Sequence, residues 1–459
     1  MIRKSLLIAA ACLLVVTQAL GAEQGGHPDP VGPVLAALIV ILVASKLGSE
    51  IFERLGQPAV LGELIAGVVL GNMVLLDPRW AFFEPLRATE ITVQWAVVVD
   101  MLARVGVIIL LFEVGLESTI QEMIKLGPSA ALVAVLGVIA PFVLGFGASA
   151  LFIRELPASL AARVPASFSL NYVHMFVGAV LCATSVGITA RVFKDLGRLQ
   201  TREAQIILGA AVIDDVLGLI VLAVVSGVIS SAELGEPVQL TALARLTGLA
   251  LGFLGGSLLA GKFLVPKLLG GVARARTSGV MLVSALVLAF GLAYLARAAG
   301  LAAIVGAFAA GLLLEEVHFR RFREEISIHM LIRPISTLLV PIFFVLMGIQ
   351  VRLETFADPS VLGVAAGLTV AAILGKQVCG LGIVMKGVDR LTIGAGMIPR
   401  GEVGLIFASI GKGLGVVDSA TLSAIVIMVI ITTLIAPPAL KWTLARAAPP
   451  DGSAPAVRP

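Results

Sequence analysis

Polar and apolar residues along this chain are sorted into long blocks. Apolar runs of roughly twenty residues alternate with short connectors that hold most of the charges. A run of that length, wound as a helix, crosses the hydrocarbon layer of a bilayer. Helix is the expected form, because hydrocarbon offers backbone N–H and C=O groups no partner. Length and hydropathy mark about thirteen such segments. Their cores are 34–52, 58–76, 97–117, 129–152, 173–194, 204–229, 242–264, 278–298, 301–315, 334–353, 360–384, 392–411 and 419–441. The predicted fold class is an all-α polytopic membrane protein.

Ahead of these segments, Arg3 and Lys4 precede a short apolar core, Leu6 to Val16, and the small residues Ala19 to Ala22. That three-part pattern predicts a signal peptide over 1–22, with an exposed linker after it. At the other end, the Ala/Pro-rich segment 443–459 reads as a disordered tail.

Composition sharpens this picture. Of 459 residues, 59% are hydrophobic and 14% charged, where a soluble domain carries about 25% charge. The net charge of +4 then carries no nucleic-acid signal, and what matters is which connectors hold it. With the N-terminus outside, the connectors assigned inside hold far more Lys and Arg than those assigned outside. The positive-inside rule therefore supports an exterior N-terminus and a cytoplasmic C-terminus, in a bacterial inner membrane. Cys12, Cys182 and Cys379 lie in apolar runs, and His27, His174, His318 and His329 are far apart. Neither a disulfide framework nor a Cys/His metal cluster is predicted, and no cofactor.

One run breaks the sorting of charge. Asp214 and Asp215 stand side by side inside the apolar stretch from Ala204 to Ile229. An ionised group at mid-membrane costs about 2.5–3.5 kcal/mol on insertion scales. Two adjacent carboxylates also oppose each other's ionisation. Packing alone rarely needs such groups, so the pair points to ion or proton traffic.

Two other runs carry breakers. In Gly178 to Ala190, the residues Thr184, Ser185, Gly187 and Thr189 can unwind a turn and still satisfy the freed backbone. In Gly394 to Gly404, Pro399 removes a backbone donor among glycines. Each break occupies the middle segment of a three-helix group, about 129–229 and 360–441. The odd spacing between the groups gives them opposite orientation. Inverted repeats with broken helices crossing near the midplane, beside a transport site, follow from that pattern.

The remaining buried charges gather in the same groups. Lys376 is mid-helix, and Arg400 and Glu402 flank the second break. Counting ionised forms, Arg400 and Glu402 cancel, and the two aspartates outweigh Lys376 by one negative charge. A monovalent cation or a proton would neutralise that remainder, which is the electrostatics of an exchanger. Outside the groups lie Glu63, Glu113 and Arg104, and Arg104 is one turn from a partner, Asp100.

These residues resemble the monovalent cation:proton antiporter superfamily, specifically its sodium/proton antiporters with an aspartate pair. The likeness rests on Gln57-Pro-Ala-Val-Leu-Gly-Glu-Leu64, Leu110-Leu-Phe-Glu-Val-Gly-Leu-Glu117, Ala183-Thr-Ser-Val-Gly-Ile-Thr189, Ile213-Asp-Asp215 and Pro341-Ile-Phe-Phe-Val-Leu-Met-Gly348. Glu113 departs from the motif, at a place more often apolar or small. The resemblance implies a homodimer in membrane lipid, with dimerisation-domain helices over 28–120 and 276–355. It implies a core transport domain over 128–230 and 358–442, with a linker helix over 240–268. It also implies that Asp215 is the main ion-binding carboxylate and that Asp214 pairs with Lys376 in one protonation state.

The expected activity is exchange of Na⁺ or Li⁺ for H⁺ by alternating access, with K⁺/H⁺ exchange by the same machinery as the alternative. Na⁺ would sit at Asp215, Asp214 and Thr184, helped by Ser185, with Lys376 as charge partner. If Lys376 releases a proton as the cation binds and Asp215 releases a second, exchange moves net charge. No filter-like repeat argues for a channel. An intramembrane aspartyl protease needs two carboxylates that share a proton, whereas adjacent residues on one helix diverge by about 100°. The sequence therefore predicts a transporter and not an enzyme.

Overall fold

The computed structural model describes residues 31–447 apart from 89–90, 117–119, 162–163, 165–167, most of 235–278, 300, 315–326 and 358. The expected signal peptide, most of the 242–264 segment, His27, His318 and residues 448–459 lie outside the described residues. Every regular element among the described residues is helical. Nine helices among them are long and apolar enough to cross a bilayer, taking 171–195 as one, and three shorter apolar helices accompany them.

One group of helices comprises α1 (Val31–Arg54), α2 (Ala59–Asn72) and α3 (Gln94–Leu116). In the second group, α4 (Ile120–Phe152) is followed by the half-helices α5 (Asn171–Cys182) and α6 (Val186–Asp195), then by α7 (Arg202–Leu234). The chain returns to the first group with α8 (Val280–Ala298), α9 (Ala303–Leu313) and α10 (Ile328–Ile349). It closes the second with α11 (Pro359–Gln377), the half-helices α12 (Arg390–Gly396) and α13 (Gly401–Gly413), and α14 (Ser419–Ala447). This last helix reaches Ala447, into the segment expected as a tail.

In the first group α10 packs on α2 and α3, and α9 on α3 and α8. In the second, α4 is the hub for α5, α7 and α11, while α14 packs on α11 and α13. The first group serves as scaffold, and the second holds every residue of the site described next. Contacts between the groups run through α6, which touches α2 and α3, and through α14 against α2.

The two expected breaks are present, and they divide spans that hydropathy reads as continuous. Backbone leaves helical geometry at Ala183 (φ −55°, ψ 138°) and is extended at Ser185 (φ −94°, ψ 101°). The second interruption runs from Met397 to Arg400, between the end of α12 and the start of α13.

An outer polar network ties the scaffold to the start of the second repeat. Arg87, with a side chain 1% exposed, donates to Glu354 at 2.6 Å and to Glu84 at 2.7 Å. Asn72 accepts from Arg87 and from the Leu353 amide, and donates to the Val351 carbonyl. Arg352 donates to the Arg87 carbonyl.

Candidate ion-binding site

A broken helix frees backbone groups at both new ends, and in hydrocarbon each needs a partner. Here the two breaks satisfy one another. The Ser185 amide donates to the Pro399 carbonyl at 2.7 Å, so the breaks meet peptide to peptide. The Thr189 hydroxyl, one turn into α6, donates to the Gly396 carbonyl at 2.6 Å. Gly401 opens α13 with φ +52°, and a Cβ there would lie 2.5 Å from the Ser185 hydroxyl oxygen. Both the positive φ and the close approach require glycine at 401.

The exposed carbonyls at the end of α5 face two cations. Arg400 is fully buried and donates to the Ala183 carbonyl at 2.5 Å and to the Ala372 carbonyl at 3.3 Å. Lys376, equally buried, donates to the carbonyls of Cys182 at 2.9 Å and Gly137 at 2.7 Å. Cations at a helix C-terminus are stabilised by its partial negative charge. The sequence reading cancelled Arg400 against Glu402. Arg400 instead directs its charge at the first break, and the side chain of Glu402 lies outside the described residues.

Lys376 completes its contacts on Asp214, with its ammonium nitrogen 3.2 Å and 3.4 Å from the two carboxylate oxygens. Both side chains are fully buried. Gly137 packs beside this pair: a Cβ there would stand in ordinary contact with the lysine nitrogen and an Asp214 oxygen, and more tightly, at 3.1 Å, against the Cys379 sulfur. Thr184 is buried beside Asp214, and Arg400 lies within electrostatic reach of it. Ser185 is buried against Gly401. Asp215, the next residue on α7, is only half-buried. The two carboxylates therefore occupy different environments, one fully buried against Lys376 and one half-buried.

Of the sequence-predicted residues, Asp214, Lys376, Thr184, Ser185 and Arg400 are thus brought together. Asp215 follows on the same helix, turned by about 100°. The carbonyls of the first break are expected from the sequence as ion ligands, and here those of Cys182 and Ala183 accept from Lys376 and Arg400. The carbonyls of Gly137 and Pro399 went unnoticed, because a carbonyl has no letter of its own. His174 stays away from the site, with Nδ1 2.9 Å from the Ser149 hydroxyl oxygen, as befits a structural histidine. Arg104 pairs with Asp100 at 2.7 Å, one turn away, as its spacing predicts. Glu113 pairs with Lys194 of α6.

Residues 8–446 match the family described as the transmembrane sodium/hydrogen exchanger. The chain is 40% identical over 454 residues to the high-affinity Na⁺/H⁺ antiporter NhaS3 of Synechocystis sp., covering 93% of each. It is 34% identical over 411 residues to the Na⁺/H⁺-K⁺ antiporter GerN of Bacillus cereus, covering 88% of this chain and 95% of the other. The solved sodium proton antiporter MjNhaP1 of Methanocaldococcus jannaschii superposes with a TM-score of 0.59 over 92% of this chain and 100% of that one. At 18% identity that likeness concerns the fold.

Proposed function

This chain belongs to the transmembrane sodium/hydrogen exchanger family and exchanges Na⁺ for H⁺ across a membrane, and we propose that Asp215 is the carboxylate that carries both ions by turns. One observation carries the assignment. Asp214 is fully buried in a pair with Lys376, whereas Asp215 at the next position is only half-buried and so is the more accessible of the two carboxylates. Thr184, Ser185 and the carbonyls of the first break supply the hard oxygens that an alkali cation requires, since two carboxylates do not complete its shell. Arg400 and Glu402 belong to charge compensation at the breaks.

Alternating access follows from motion of the second helix group, residues 128–230 and 358–442, against the scaffold. The scaffold segments 28–120 and 276–355 also form the homodimer contact in this reading. The location is a bacterial inner membrane with the N-terminus outside, in line with the positive charge of the inner connectors. Cation binding at Asp214 and Asp215 competes with Lys376 for Asp214, and in this reading Lys376 gives up a proton as that pair breaks. With one proton from Asp215, two leave for each Na⁺, and exchange moves charge. Similarity to GerN favours K⁺ as a second substrate.

Dissipation of a pH gradient in proteoliposomes, with Li⁺, Na⁺, K⁺ and Rb⁺ added in turn, tests the exchange. Asp215→Asn keeps shape and loses charge, so cation-coupled proton flux should vanish while the protein remains folded. Substantial flux in the folded variant removes Asp215 from the site. Clamping the membrane potential tests the two-proton step: a wild-type rate indifferent to potential excludes it.

A further inference from the structure

The last turn of α6 carries a second set of charges that the ion site does not use. Arg191 sits 3.0 Å from Glu63 of α2 and 2.7 Å from Asp195 on its own helix. Its guanidinium also stacks over the Phe344 ring of α10, 5.7 Å from the centroid. Lys194 pairs with Glu113 of α3 at 2.5 Å. Asp195 accepts from the Val60 amide at the start of α2 at 3.3 Å, and Ser49 of α1 donates to Glu63. One turn of one half-helix therefore touches three scaffold helices, α2, α3 and α10, through ion pairs, a hydrogen bond or a ring face, and Glu63 links that contact on to α1.

Apart from the Arg87 network, the crevice between the two groups is mainly apolar, with Gln350 and Thr433 as its polar members. The crevice between them is lined by Leu64, Val68 and Met347 on the scaffold side and Leu405, Val426 and Val429 on the other. Apolar surfaces have no directional contacts and can slide. Ion pairs have a fixed geometry, and separating a buried pair leaves two uncompensated charges. Glu63 is fully buried and Glu113 nearly so, so neither carboxylate finds water when its partner leaves. At its other end α6 begins directly after Ser185 and holds the second break through Thr189. This half-helix is a strut with the ion site at one end and the charged turn at the other.

We propose that Arg191 and Lys194, with Glu63 and Glu113, form an ionic clasp that docks the ion-binding group on the scaffold and must open in each transport cycle. The clasp rests on the reading that the two groups move against each other. Its residues do not touch the ion. They are positioning residues, and they set the rate of the conformational step and not cation affinity.

The test uses the full-length purified chain with the double substitution Glu113→Cys and Lys194→Cys, reconstituted in proteoliposomes. Oxidative cross-linking should lower Na⁺-driven proton flux at least about tenfold, with recovery on reduction, because conformational steps gate turnover. Wild type given the same oxidant and reductant is the control for Cys182 and Cys379. Cross-linked protein that exchanges as fast as reduced protein overturns the clasp. In a separate arm, Glu113→Gln and Lys194→Gln should each change the maximal rate about threefold or more at unchanged half-saturating Na⁺. The exchanged pair Glu113→Lys with Lys194→Glu should return the rate toward wild type. A change in half-saturating Na⁺ alone, or no rescue by the exchanged pair, overturns it. Amide hydrogen exchange at Val60 reads opening without any transport assay, because that amide donates to Asp195 only while the clasp is closed. Cross-linking should slow this exchange, and unchanged exchange counts against the proposal. A wild type that opens at Val60 but moves no Na⁺ would instead overturn the exchange reading and leave the clasp standing.

Discussion

The two broken helices occupy matching places in their repeats and do different work. The first break, Ala183 to Ser185, contains hydroxyls and carbonyls and no charge. The second, Met397 to Arg400, contains a proline that cannot donate and an arginine that donates to the first. A symmetric pair would compensate its own ends. Here the charge of the second break lies on the Ala183 carbonyl of the first, so each break supplies partners that the other lacks. The asymmetry leaves Thr184 beside Asp214, where the proposed site needs a ligand, and makes the second break its support.

The largest effect is expected from removing that support. Arg400→Gln takes a buried donor from Ala183 and leaves its carbonyl facing apolar surroundings, at a cost of about 1–3 kcal/mol. Thermal unfolding in detergent should show that loss, and exchange should fall at least about tenfold, because the groups of the first break lose their fixed placement beside Asp214. Wild-type stability in Arg400→Gln would separate the two breaks energetically.

Gly401→Ala strains the same contact from the backbone side. Its positive φ and the 2.5 Å approach to the Ser185 hydroxyl both penalise a Cβ, by about 1–3 kcal/mol together. The expected outcome is a lower maximal rate, with stability reduced less than in Arg400→Gln. If flux measurements find Gly401→Ala fully active, close crossing at this point is dispensable.

Thr184→Val keeps the shape of the first break and removes a hydroxyl. Half-saturating Na⁺ should rise about threefold to tenfold, with a smaller change in maximal rate, since one ligand among several is lost. An unmoved half-saturating concentration would take the first break out of the ion site and make both breaks merely structural.

The smallest effect belongs to the outer network, which touches neither break. Burial disfavours the charged form of Glu354, yet the Arg87 guanidinium outweighs it and holds the carboxyl below the usual glutamate range. Burial likewise opposes the charge on Arg87, and Glu354 and Glu84 more than restore it. A lowered carboxyl pKa contributes stability above the ordinary value and loses it as pH falls through the folded one. Because the Glu354 side chain is 44% exposed, the contribution is under about 1 kcal/mol. Thermal stability followed downward through the carboxylate range should fall slightly less steeply in Glu354→Gln than in wild type, with exchange at neutral pH unchanged.

The legible parts of this molecule were those written as misfits. Asp214, Asp215, Lys376 and Arg400 stand out because a charge inside an apolar run has no bland explanation. Both breaks were legible through Thr184, Ser185 and Pro399, although hydropathy drew their spans as continuous. Partners were legible only one turn away, as for Arg104 and Asp100, or through the resemblance. Lys376 and Asp214 meet across 162 residues, and it was the resemblance, not either helix, that pointed to the pair. Arg400 stood beside Glu402 in sequence and was matched with it, whereas its carbonyl partners belong to α11 and to the end of α5. Glu113 was visible as an anomaly, but Lys194 looked like one of many inner basic residues that set topology.

The hydrogen bond from the Ser185 amide to the Pro399 carbonyl has a consequence for how such a protein can change. It joins two peptide groups, so proline at 185 is the one codon change that removes it directly. Other substitutions at Ser185 alter a hydroxyl, and substitutions at Pro399 alter a ring, while the bond itself stays encoded. A scan by alanine or by any side chain other than proline would rate both positions by their decorations and pass over the contact. It becomes visible cleanly to backbone chemistry, such as an amide-to-ester replacement that removes the Ser185 N–H. Variation can then retune the ligands around this junction freely while the junction persists beneath them.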